Sequence, residues 1–312
     1  VSRARKLKET LEERPRGEIL YARLAEALGY KKNRMPFLQL VNLLPLSRLR
    51  EAIPEAVAPA TKRIALEGTF FGASGLLERA KEKPLDDESR DYLDSLQAAW
   101  EDVGRDLASE TMSPDHWEFG GTRPVNHPAR RIAALASIYA DNLHEGLFSR
   151  LVRVVHRTSK QGRRRLDTVM RDRLTEVFAG SDHPYWTHRY SLGGSRVQRS
   201  VRLVGQQRAR SILVNVVLPL LLAHARSEDD SELSRRLHLL WRRLPRQPGN
   251  AVTRRMCGVM FGGRDEAKKV VDSCRRQQGL HQFYRDFCSA EDACDRCVLY
   301  LAWREGRELS LV

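Results

Sequence analysis

Cysteine is scarce in this chain, five residues in 312, too few for the disulfide framework of a small secreted fold. Alternating runs of β-branched residues, the period-two signature of half-buried strands, are nearly absent, which argues against a sheet-based architecture. The longest apolar stretch, Ser211 to Ala225, is interrupted by Asn215 and Pro219 and falls short of the ~20 residues a bilayer requires. It reads as a buried core helix. No secretory leader precedes these segments, so a reducing cytoplasm is the expected compartment. Val1 stands where an initiating Met would, so the expectation is a portion of a longer protein. Enzyme signatures are missing as well: there is no G-x-S-x-G elbow, no G-x-x-x-x-G-K-[ST] loop and no H-E-x-x-H helix. Of the nine histidines, His127, His183 and His188 fall in loops, and none has a sequence-spaced carboxylate or thiol to assign it a role.

What remains is rich in Leu, Ala, Arg and Glu, with 41% apolar and 30% charged residues, the balance of a folded rather than a disordered chain. Apolar residues recur at helical spacing nearly throughout. Gly17–Leu28 predicts a helix stopped by Gly29, a good residue beyond a helix end. Further helices are predicted over 36–43, 61–71, 86–107, 129–143, 144–156, 163–178, 201–226, 231–243 and 250–260, with a long one from Asp265. The spacing predicts an all-α, multi-helix assembly with short connections. The Gly- and Pro-rich loop from Ser109 to Pro128 is the predicted boundary between an N-terminal helical subdomain, 1–110, and a C-terminal one, 111–312, the two being able to form one continuous domain.

The formal net charge is +14, which favours polyanionic partners and nucleic acid first; an acidic protein partner is the alternative, and a general arginine bias is the bland reading. The charge concentrates between Arg150 and Arg210. There Arg163, Arg164, Arg165, Arg171, Arg189, Arg196 and Arg199 surround the aromatic segment His183-Pro-Tyr-Trp-Thr-His-Arg-Tyr190. Trp186 and His188 beside these arginines suit stacking on unpaired bases next to phosphate contacts. Against that, Trp186 and Tyr190 sit four apart and can pack inward on one helical face. A second anion site is predicted at Arg123-Pro-Val-Asn-His-Pro-Ala-Arg-Arg131, with Asn126 as cap, Pro128 in the first turn and Arg123, Arg130 and Arg131 around the helix start. The alternative is that these arginines tether a loop to carbonyls.

Cys288, Cys294 and Cys297 crowd into ten residues as C-x5-C-x2-C. Thiolates so spaced can share a soft metal, zinc ahead of an iron–sulfur cluster, if a fourth ligand exists; three thiols packed into a terminal turn are the alternative. Cys274, His281 and Cys288 are seven apart, about 10 Å per step along a helix axis, so a straight helix keeps Cys274 away unless it breaks near Gly279. Pro219 is expected to kink its helix, with Asn215 helping to satisfy the freed backbone groups.

Several phrases together resemble one bacterial family, domain of unknown function 2851. They are Ala27-Leu-Gly-Tyr-Lys-Lys-Asn-Arg-Met-Pro-Phe37, Glu67-Gly-Thr-Phe-Phe-Gly-Ala-Ser-Gly-Leu-Leu77, Arg123-Pro-Val-Asn-His-Pro-Ala-Arg-Arg-Ile132, Ile212-Leu-Val-Asn-Val-Val-Leu-Pro-Leu220, Gln277-Gln-Gly-Leu280 and the cysteine cluster. The resemblance implies the helical C-terminal portion of that family and brings no established activity. Longer relatives carry a strand-rich N-terminal half with acidic motifs similar to metal-dependent nucleases, and nothing here matches its Gly-Pro-Asp-Phe or Asp-Val-Glu phrases. The leading expectation is therefore a basic nucleic-acid-associated module, non-catalytic alone and accessory to such a half. A protein-interaction scaffold, or an enzyme whose pocket gathers Arg123, Asn126, Asn215 and the Gln277-Gln278 pair, are the alternatives.

Overall fold

Helical spacing becomes helix almost everywhere it occurs. The structure, a computed structural model, describes residues 11–81, 84–108, 110–121, 123–158, 166–179, 182–290, 293–295, 297, 300–301 and 304–306. It is 71% helical, with no strand among the described residues. In order run α1 (Arg16–Leu43), α2 (Leu46–Ala52), α3 (Pro59–Ala73), α4 (Leu76–Lys81), α5 (Asp87–Ala99), a π-helical turn (Trp100–Gly104) and α6 (Arg105–Leu107). Then follow α7 (Pro128–Ala140), α8 (Leu147–Arg157), α9 (Leu166–Ala179), α10 (Gln206–Ile212), a second π turn (Leu213–Val217), α11 (Leu218–Ser227), α12 (Ser231–Arg243), α13 (Ala251–Phe261), α14 (Arg264–Val270) and α15 (Cys274–Phe287).

The chain divides into two units, 1–237 and 238–312. The 109–128 loop lies within the first of these units and is stitched into it: Trp117 is buried and donates from Nε1 to the Ser74 carbonyl at 2.9 Å. The buried Asn33 side chain also exchanges two 2.8 Å hydrogen bonds with the backbone of Glu118.

In the N-terminal unit α3 is the central member, buried continuously from Ala65 to Ala73 and packed against α5 and α7. Its glycines permit the close approach. A Cβ on Gly68 would lie 2.6 Å from both Ala99 Cβ and the Leu96 carbonyl oxygen, and one on Gly72 would overlap the Trp100 ring. The π turn at Trp100–Gly104 follows, with the same ring lying close over Gly104. Helix α1 is two helical stretches joined across a kink: the backbone leaves helical geometry at Tyr30 (φ 57°), beside the stop expected at Gly29, and again at Asn33, and the second stretch runs on to Leu43. Gly29 is still required, because a Cβ there would meet Phe37 at 2.9 Å and the Arg34 backbone at 3.0 Å.

The run Gln206–Ser227 is 22 residues, long enough to cross a bilayer by length alone, so the expected length argument does not hold. The core reading does: 61% of its most apolar window is buried inside the protein. The irregularity falls at Leu213–Val217, just ahead of Pro219, where a π turn absorbs the missing amide donor. Asn215 is exposed rather than buried and donates to the Ser211 carbonyl one turn back at 2.9 Å.

In the C-terminal unit, Asn250 and Thr253 form a reciprocal capping box on α13, which stops at Gly262 (φ 69°). Met256, Cys257, Ala267, Val271 and Leu280 form its small core. The single long helix expected from Asp265 is two, α14 and α15, because Ser273 caps a new helix start and pairs with Pro245 in an isolated antiparallel bridge. From there α15 passes Gly279 without a break and ends at Cys288.

Candidate polyanion-binding surface and the network beneath it

A glutamate in an otherwise apolar, glycine-rich helix face must find donors when that face is buried. Glu67 is 1% exposed and finds two. Tyr92 Oη donates to its Oε2 at 2.8 Å, and His183 Nε2 lies 2.7 Å from its Oε1. The His183 tautomer follows from its other nitrogen: Nδ1 accepts from the backbone N–H groups of Tyr185 and Trp186 at 3.2 and 3.1 Å. Nε2 therefore carries the proton and donates it to Glu67. Trp186 Nε1 donates to Tyr92 Oη at 2.9 Å, while the indole stacks parallel to Phe71 with centroids 6.0 Å apart. Burial, then the adjacent Glu67 carboxylate, holds the Tyr92 phenol well above its ordinary range.

The His–Glu pair looks catalytic on paper, yet it is sealed. The His183 ring borders a cavity of about 10 Å³, room for about one water and no substrate. The network instead anchors the aromatic segment against α3 and α5. Here lies the carboxylate that sequence spacing could not assign to His183, 116 positions away. The available signal was a lone acid within Ala65-Leu-Glu-Gly-Thr-Phe-Phe71.

Two buried arginines extend the anchoring. Arg130, fully buried, donates from Nη1 to the carbonyls of Trp186 and Arg189 and from Nη2 to that of Val201. Arg131 donates to the Leu203 carbonyl at 3.0 Å and to Asn126 Oδ1 at 2.7 Å. Burial draws both guanidiniums down to about 10, with the neighbouring Arg131 charge a second cause for Arg130; both stay protonated at neutral pH. The anion site predicted at Arg123, Asn126, Arg130 and Arg131 is thereby corrected. The two guanidiniums are spent on carbonyls, as in the tethering alternative. His127, not Asn126, occupies the cap position of α7, while Pro128 does take the first turn. Only Arg123 is exposed.

The stacking role predicted for Trp186 is also corrected, since it is 0% exposed. Arg189, 2% exposed, is enclosed by Asp86 and Glu88, each 2.7 Å from its Nη2. Arg171 pairs with Asp172, Arg196 shares Glu88, and the half-buried His188 ring meets the Val197 carbonyl at 3.0 Å. Arg163, Arg164 and Arg165 lie outside the described residues.

What the anchored segment offers solvent is different. Backbone hydrogen bonds Val197 N to His188 O (2.7 Å) and Val201 N to Thr187 O (2.8 Å) fold residues 197–201 back along 187–188. The carbonyls of 201 and 203 turn toward α7. Arg199, Arg202 and Arg210 are exposed without an ion-pair partner among the described residues, and no acidic residue occurs between Asp182 and Glu228.

All five cysteines are free thiols. Cys274 is buried at the start of α15, and burial pushes its thiol up to about 11; Cys288 ends the same helix, half-buried, and Cys294 is exposed. Burial, then Cys297 and Cys294 nearby, raises the Cys288 thiol. Among the described residues no three His, Cys, Asp or Glu side chains gather as a metal site. None of Arg123, Asn126, Asn215 or Gln277 lines the cavities bordered by Cys257, by His183 or by Arg242, and Gln277 belongs to the C-terminal unit.

The model of a protein family of unknown function (DUF2851) matches residues 2–249, most of the chain. The match takes in every family-like phrase from Ala27 to Leu220; Gln277-Gln-Gly-Leu280 and the cysteine cluster lie beyond it. No curated protein and no solved structure matches the chain.

Proposed function

Since the chain belongs to this protein family of unknown function, DUF2851, whose name fixes no reaction, we propose that it is a basic all-α module that associates with nucleic acid through backbone phosphates. Its role is accessory rather than catalytic. The observation that carries this reading is the stretch from His183 to Ser227, which has no acid: its exposed Arg199 and Arg202 rise from a backbone locked by buried Arg130 and Arg131, its exposed Arg210 stands on α10, and none of the three has an ion-pair partner among the described residues. Guanidiniums on a fixed backbone lose less freedom on meeting phosphate than those on a loose tail. With Trp186 buried, base stacking by this segment drops out, so the contact is electrostatic and indifferent to sequence.

Fluorescence anisotropy with a short DNA duplex across a salt series tests this. Log affinity is expected to fall linearly with log salt, by about 0.9 for each phosphate neutralised. Arg199→Ala, Arg202→Ala and Arg210→Ala together are expected to flatten the slope by about one for each phosphate the protein no longer meets. Binding that is absent, or that ignores salt, would remove the reading and leave an acidic protein partner as the target to seek.

A further inference from the structure

The C-terminal unit carries a second feature of the same sign. A cleft of about 380 Å³ is lined by Arg242, Arg243, Leu244 and Pro245 at the end of α12 and by Asp272, Ser273, Arg275 and Arg276 at the start of α15. Four arginines face one acid, Asp272, whose partner is Arg276 at 3.3 Å. Arg242 and Arg275 are exposed and have no hydrogen-bond or ion-pair partner among the described residues.

Arg242 and Arg243 alone would have an ordinary explanation, because cations in a last turn offset the negative end of the helix dipole. Arg275 and Arg276 have the opposite placement. They occupy the first turn of a 14-residue helix, a turn that holds no acid, and there the dipole's positive end opposes them. An anion in the cleft would relieve that opposition and the mutual repulsion of the four guanidiniums.

The walls are fixed before any ligand arrives. Cys274 N donates to the Leu244 carbonyl at 3.0 Å, and Pro245 bridges to Ser273. The buried Gln277 side chain brackets the Gln247 backbone, accepting from its N–H at 2.8 Å and donating to its carbonyl at 2.9 Å. Arg276 Nη1 is held on the Val270 carbonyl at 2.7 Å. This is also the use found for Gln277, which spacing alone could only place at a helix contact or a site.

We propose that this four-arginine cleft is a phosphate-binding site, outside the family-matched residues for its α15 wall, that takes a phosphate of a nucleic-acid backbone. The identification of the phosphate's source rests on the function proposed above; the cleft's affinity for phosphate does not. The test uses the full-length protein in three forms: wild type, Arg242→Ala with Arg275→Ala, and Arg199→Ala with Arg202→Ala. Each is titrated with a fluorescent DNA duplex over a salt series and, separately, with inorganic pyrophosphate by calorimetry. Both pairs are exposed and unpartnered among the described residues, and circular dichroism checks that the variants fold alike.

The cleft pair is expected to abolish pyrophosphate binding and to lower the duplex salt slope by up to about two, whereas the Arg199 pair lowers only the duplex slope. Absence of wild-type pyrophosphate binding, or its survival in the cleft pair, with an unchanged duplex slope in that pair, would overturn the cleft and leave the nucleic-acid reading standing. Pyrophosphate bound through the cleft by a protein that ignores DNA supports the site and assigns it to small phosphates. No response to either ligand sinks both.

Discussion

At the scale of single residues, this protein places arginine where a count of charges does not look for it. Arg130, Arg131 and Arg189 are buried and hold backbone or carboxylates. Replacing Arg130 with Met would strand three carbonyls at once, and a loss of roughly 3 kcal/mol is expected from urea denaturation. Glu67→Gln is the finer probe. Both Glu67 oxygens accept a hydrogen bond from a committed donor, and an amide would turn its NH2 toward one of these donors. Destabilisation of about 1–3 kcal/mol is expected, read by the same method.

The Arg189 clamp adds a pH dependence. Hydrogen bonds from Ser89, then from Arg189, hold Asp86 down at about 2, and Arg189 chiefly holds Glu88 below its usual range. Depressed carboxylates stabilise the fold above their unfolded values near 4, and that contribution is lost as pH falls through the folded values. The urea midpoint of the wild type should therefore drop between pH 5 and pH 2 by more than that of Asp86→Asn. Equal drops would show that the Asp86 half of the clamp contributes nothing.

At the scale of elements, the helices were legible because their apolar spacing is regular, and nearly every predicted one is present. The departures have local causes that spacing does not encode. The π turns at Trp100 and Leu213 keep helical composition while changing the register. The break between α14 and α15 turns on one capping serine. The site was less legible, since Trp186 reads the same whether its indole faces a base or Phe71. The arginine doublets at 242–243 and 275–276 meet only through tertiary structure. Two predictions belong here. Gly72→Ala, which would drive a methyl into the Trp100 ring, is expected to cost about 3 kcal/mol as overpacking, seen as a lowered thermal midpoint. Alkylation followed by mass spectrometry should label the exposed Cys294 first and spare buried Cys274 until the protein unfolds.

For the whole molecule, the net charge of +14 is not simply what a partner meets, because Arg130, Arg131, Arg189 and Glu67 are enclosed. What reaches solvent lies on both units, and only the first falls almost wholly within the family match. Trp100, Trp117 and Trp186 are buried within that first unit, and this burial has an optical consequence. Their indoles sit among carbon rather than water, so native emission should be blue-shifted and should move to the red when the unit opens. The packing that denies Trp186 to a nucleic-acid base makes it, with its two companions, a built-in dye for watching that unit unfold.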